Sequence, residues 1–168
     1  MAIEKERVTK ELDLTRKLNK IKNKNLRKEA ANEVGQFLVD YILDKVGQAE
    51  SPVQKGIYNP DLTKKYKKIK GDISGNSKAN MELFGDMLDA LKYTAKDGII
   101  EVGIFDKDQA KKAYGHNTGF SGHPNSEMRG NKYKRQFIPS KSKNFNKEAR
   151  EEINRIIDDY ASEVQKEI

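Results

Sequence analysis

An α+β domain is predicted from three observations. Two stretches, one from Leu26 to Val46 and one after Asn146, repeat apolar residues at helical spacing. An Asp97-Gly98 pair stands between two apolar-rich runs, the strongest short-range signal for a β-hairpin. The segment between the first helix and the hairpin is punctuated by Gly56, Pro60, Gly71 and Gly75 and reads as a long loop over 51–80. The expected order is an N-terminal helix, a long loop, a small antiparallel sheet built on the hairpin, a short helix, a loop, a short strand and a C-terminal helix.

Each element has its own warrant. Residues 1–25 are rich in charge, with Val8, Leu12, Leu14, Leu18 and Ile21 at loosely helical spacing until Asn23-Lys24-Asn25 interrupts. They read as a charged arm or a frayed helix, leaving 26–168 as a single domain. From Leu26 the residues Ala30, Val34, Phe37, Leu38, Tyr41, Ile42 and Val46 line one face, and Gly47 supplies a stop. A helical turn over 81–86 precedes strands at 87–95 and 99–105. Ala110, Ala113 and Tyr114 mark a short helix over 107–116, followed by a polar, Gly-rich loop over 117–134. Gln136-Phe137-Ile138-Pro139 suits a short edge strand ended by proline. Asn146 is a good N-cap for the last helix, with Glu148 in its first turn and Ala149, Ile153, Ile156, Ile157, Tyr160 and Val164 on its apolar face. No internal repeat is present.

Composition excludes several chemistries. The 168 residues contain no cysteine, so disulfides, iron–sulfur clusters, thiol nucleophiles and zinc knuckles are ruled out. Charged and apolar residues each make up 35% of the chain, which predicts a thin core and long solvated helices. The opening residues lack the apolar stretch of a signal peptide, and no run approaches the roughly 18 apolar residues of a membrane span, so a soluble intracellular chain is expected.

Candidate sites for chemistry are few. Gly71-Asp72-Ile73-Ser74-Gly75-Asn76-Ser77-Lys78 lacks the spacing of a phosphate loop and reads as an ordinary turn. His116 and His123 lie seven residues apart without a carboxylate partner, and no Gly-x-Ser-x-Gly occurs. They read as loop histidines, with a small hydrolase as the rival they would have to serve. Glu148, Glu151, Glu152, Asp158 and Asp159 interleave with the apolar face of the last helix as a solvated surface. The excess of 33 Lys+Arg over 26 Asp+Glu, net +7, concentrates in 64–70 and 129–143. With Tyr66, Tyr133 and Phe137 available to stack, that basicity supports the alternative of a nucleic-acid-binding module, though no recognition helix or RNP-like motif accompanies it.

Several segments, taken in order, resemble the virion-morphogenesis and tail-completion family of tailed bacteriophages. They are Ser51-Pro52-Val53 with Gly56, Leu62-Thr63-Lys64-Lys65-Tyr66 with Lys70, and Met81-Glu82-Leu83-Phe84-Gly85-Asp86-Met87-Leu88-Asp89-Ala90-Leu91. Asp97-Gly98 and Val102-Gly103 follow, then Ala113-Tyr114-Gly115-His116-Asn117-Thr118-Gly119 and Arg135-Gln136-Phe137-Ile138. Two departures stand out: Gln136 replaces the family's proline after the arginine, and Lys134 replaces the proline before it.

The resemblance implies a non-enzymatic structural subunit of the neck, joining head to tail or completing the head-proximal end of the tail. Its implied partners are copies of itself in a six- or twelve-fold ring, portal or adaptor proteins, and tail-tube or tail-terminator proteins. Transient DNA contact in the lumen is compatible with it; a membrane, a metal or a cofactor is not called for. Its location would be the virion, and the host cytoplasm during assembly. An assembly factor not retained in the particle is the neighbouring alternative. Met87, Leu88, Leu91, Arg135, Phe137 and Ile138 are then inter-subunit or packing residues, with Phe137 the anchor of the chain entering the last helix. Tyr66, Lys67 and Lys68 are contacts made by the long loop.

Overall fold

A computed structural model describes residues 7–58, 64–75, 86–119 and 134–166. Among them it is an α+β structure: β1 (Val8–Asp13), α1 (Thr15–Leu18), α2 (Lys24–Gly47), α3 (Lys64–Ser74), α4 (Asp86–Asp89), β2 (Leu91–Lys96), β3 (Ile99–Ile104), α5 (Lys107–Thr118) and α6 (Lys147–Lys166). The strands form one antiparallel sheet in the order β1-β3-β2.

The hairpin forms where Asp97-Gly98 predicts it. Lys96 pairs with Ile99, and the two turn residues have φ of 52° and 85°, the left-handed pair that matches the twist of a two-residue hairpin. Strand β3 then sends Ile100, Val102 and Ile104, all fully buried, to the core face. Helix α2 crosses that face over β2 and β3 and also packs on α6. At Gly35 the helix backbone lies against the Tyr93 ring, in space that any Cβ would need. Asn23 starts α2 as its N-cap, its Oδ1 accepting from Asn25 N at 2.8 Å and Leu26 N at 3.2 Å.

Five expectations need correction. Residues 8–13 are neither arm nor helix but an edge strand, and Leu18 and Ile21 behind it are buried in the core. Their alternation was hidden because Lys10 takes a core-side position, opposite Val102. Its ammonium leaves the sheet to donate to the carbonyls of Ser140, Lys141 and Lys143 at 3.2, 3.2 and 2.7 Å.

The long loop over 51–80 contains a helix, α3, because lysines are good helix formers and a single internal glycine, Gly71, is tolerated. Gly75, at φ 68°, ends it with its N–H on Gly71 O at 2.9 Å. The first hairpin strand begins at Leu91, not 87, since Met87 and Leu88 belong to the short helix α4; most of the helical turn placed at 81–86 lies outside the described residues. Helix α5 runs to Thr118, beyond the expected 116, capped by Asp106 and closed by Gly119 at φ 72°. The loop placed at 117–134 is therefore helical at its start, and residues 120–133 lie outside the described set.

The edge strand placed at Gln136–Pro139 is a buried, irregular strap instead. Gly47 does end α2, but the left-handed residue that reverses the chain is Ala49, at φ 61°. The last helix begins after Asn146, with Ala149, Ile153, Ile156 and Ile157 buried as predicted.

Candidate functional site

The strap at 134–140 runs through the interior with no strand neighbour among the described residues, so its peptide groups need other partners. Side chains supply most of them. Asn117, in the last turn of α5, accepts from Phe137 N at 2.9 Å and Ile138 N at 3.1 Å through one oxygen. Its amide donates to Ile138 O at 2.7 Å, so one side chain copies both edges of a strand. Arg135 N donates to His116 O at 2.8 Å. Gln136 O accepts from Ser51 Oγ at 2.9 Å and from Tyr58 Oη at 3.2 Å.

The loop after α2 closes the network from the other side. Ser51 Oγ also accepts from Val53 N and Gln54 N at 3.2 and 3.0 Å, folding the loop around itself. Asn146 donates its amide to Ser51 O at 3.0 Å, and its N–H reaches Pro52 O at 3.0 Å, which links the loop to the start of α6. Nearby, Lys45 bridges Glu50 and Glu148 at 3.2 and 3.3 Å, and the hydrogen bond to Glu50 is the main cause of its raised pKa. Three segments distant in sequence (51–58, 116–117 and 135–146) thus meet at one polar hub.

The predicted site residues divide in two. Met87, Leu88, Leu91, Arg135, Phe137 and Ile138 are all at most 8% exposed, so the chain's own core holds them. Phe137 and Ile138 sit in the hub; Met87, Leu88 and Leu91 join the core through α4 and the start of β2. Lys67 and Lys68 lie on α3, a helix and not a loop, Lys67 half-buried and Lys68 exposed. Tyr66 belongs to the same helix, and its side chain is outside those described.

Helix α3 is turned inside out relative to its pattern. Lys70 is buried, while Ile69 and Ile73, one turn apart, are 42% and 51% exposed among Lys64, Lys65 and Lys68. An apolar pair on a basic helix, facing water, is the signature of a contact surface more than of a core.

His116 lies where Arg135 joins the hub. Burial, with the Arg135 charge adding to it, pushes its imidazole down to about 4, so the ring is neutral at pH 7. His123 lies outside the described residues. No cluster of three metal-ligating side chains occurs among the described residues, and no described helix is long and apolar enough to cross a membrane. The carboxylates of α6 pair with cations: Glu152 and Asp159 with Arg155, Glu151 with Lys147, and Glu148 with Lys45.

In the sequence Ser51 and Asn117 stand out only as members of motifs, and Tyr58 does not stand out at all. The available signal was their chemistry: Ser before Pro, and Asn in a helix's last turn, are side chains that bond backbone groups. Comparison of the chain with protein-family models, with curated proteins and with solved structures finds no match.

Proposed function

We propose that this chain is a non-enzymatic structural subunit of a tailed-phage neck, joining head to tail or completing the head-proximal end of the tail. One observation carries the reading. The segments that resemble the tail-completion family at 51–56, 113–119 and 135–138 converge on the buried hub, where they bond one another's backbone. Residues spent on holding three segments together are structural by their chemistry, and the hub's Ser51, Arg135, Gln136 and Phe137 are closed to solvent.

The subunit assembles as a ring of identical copies between a portal or adaptor layer and a tail-tube or terminator layer. Helix α3 supports this role, since its exposed Ile69 and Ile73 offer apolar surface within a basic rim for a neighbouring subunit. The test is twofold. Mass spectrometry of purified virions should find the chain as a stoichiometric component, and cryo-EM should show it in the neck. In solution, I69S/I73S should melt with the parent, because both side chains already face water, yet fail to enter the assembly. Absence from virions, or assembly indifferent to α3, defeats the proposal.

A further inference from the structure

A second feature lies at the other end of α2, away from the hub. There α1, the first turns of α2 and the β2–β3 turn enclose a cleft of about 430 Å³, within the range of small-ligand sites. Leu18, Ala31 and Ala95 give it an apolar floor, and Lys24, Arg27 and Lys28 line it with positive charge against the single carboxylate of Asp97. Lys96, the strand neighbour of Ala95, borders it by its backbone and sends its side chain to the other face of the sheet. Lys24, Arg27 and Lys28 share one face of α2 by their spacing of three and four. Among the described residues Lys24 and Lys28 have no ion-pair or hydrogen-bond partner, so their charges are uncompensated locally.

Arg27 is different. Its Nε and Nη2 donate to Ile21 O at 3.0 and 2.8 Å, which fixes the guanidinium plane and leaves other donors of the fork for a ligand. The helix end contributes little directly, since the amides of Asn25 and Leu26 already bond Asn23 Oδ1. The side chains make the site.

We propose that this cleft binds a nucleotide phosphate, with the phosphates among Lys24, Arg27 and Lys28 and the base or sugar over Leu18, Ala31 and Ala95. Three cations against one carboxylate call for more charge than one carboxylate ligand carries, and a planar guanidinium matches phosphate oxygens in pairs. The volume admits one nucleotide, not a stretch of strand. A free nucleotide and the phosphorylated end of a nucleic-acid strand share this chemistry. The inference is independent of the neck reading, and either stands if the other fails.

The experiment is calorimetric titration of the full chain at low salt with ADP, with a short 5′-phosphorylated oligothymidylate, with inorganic phosphate and with an oligoglutamate. ADP or the phosphorylated strand should bind and inorganic phosphate more weakly; whichever of the first two binds tighter identifies the source. Lys28→Ala and Lys24→Ala should each weaken binding about tenfold, the worth of one charge-assisted contact. Asp97→Asn, at a left-handed position that asparagine accepts, should tighten it severalfold.

Asn19→Trp fills the cleft from its exposed rim without changing charge and should abolish binding; Ala95→Leu does the same from the floor. Lys141→Ala, away from the cleft, is the control and should leave affinity unchanged. Three results would overturn the inference: no binding of either nucleotide probe, oligoglutamate binding as tightly as ADP, or lysine variants that weaken binding while both filling variants leave it intact.

Discussion

The hub makes its sharpest prediction at Asn117. Replacing it by alanine removes three hydrogen bonds to the backbone of Phe137 and Ile138, at 2.7, 2.9 and 3.1 Å. Both residues are fully buried, and among the described residues the strap has no strand neighbour to take over. Each bond is worth about 1 kcal/mol net, rising to about 1–3 kcal/mol where the abandoned group stays unsatisfied. Asn117 is itself half-buried, which lets water reach part of the gap and holds the sum near ~3 kcal/mol. For a chain this size that corresponds to a fall in melting temperature of roughly 6–12 °C. Urea unfolding followed by circular dichroism measures the loss directly, with the slope unchanged if the transition stays two-state. Asn117→Asp keeps the acceptor for both N–H groups but sets a carboxylate oxygen against Ile138 O, so it should lose at least one bond's worth. A loss below ~1 kcal/mol for Asn117→Ala would refute the claim that this side chain stands in for a missing strand.

Further predictions follow from packing and titration. Gly35→Ala gains about 1 kcal/mol of helix propensity but drives a Cβ into the Tyr93 ring, so it should destabilise by a net ~1–2 kcal/mol. In the Tyr93→Ala background the same change should become neutral or stabilising, and a double-mutant cycle that shows no coupling would contradict the contact. The neutral His116 sets a pH dependence. Its folded pKa of about 4 lies below the ordinary value of 6.5, so the unfolded chain binds the extra proton between the two. Stability contributed by the neutral ring is therefore complete above about pH 6.5 and is lost as pH falls toward 4, at most ~3 kcal/mol. His116→Gln should flatten that part of the stability–pH curve; an unchanged acid limb argues against the buried neutral ring.

Legibility varied with how local each signal was. The I′ turn at Asp97-Gly98 needs left-handed backbone at adjacent residues, which few dipeptides accept, so two letters located the hairpin. Helix α2 and the inner face of α6 were equally plain, because their apolar residues recur at helical steps. Strand β1 was not, because Lys10 occupies a core-side position and is excused only by carbonyls 130 or more residues away. Gln136–Pro139 suits a strand by its Phe-Ile pair ended by proline, but the strap takes its hydrogen bonds mainly from the side chains of Asn117, Ser51 and Tyr58. Helix α3 is masked in the sequence by glycines that suggest a loop, although its lysines favour a helix.

What the amino-acid order determined alone was therefore the α+β class, the two long helices, the hairpin and the exclusion of thiol chemistry. These depend on periodicity, turn conformation and composition, which act over a few residues. Tertiary structure decided the edge strand, the side-chain hub and the cationic cleft. Each exists only when groups far apart along the chain meet, and such meetings are set by the burial of the whole core, which no short window of sequence contains.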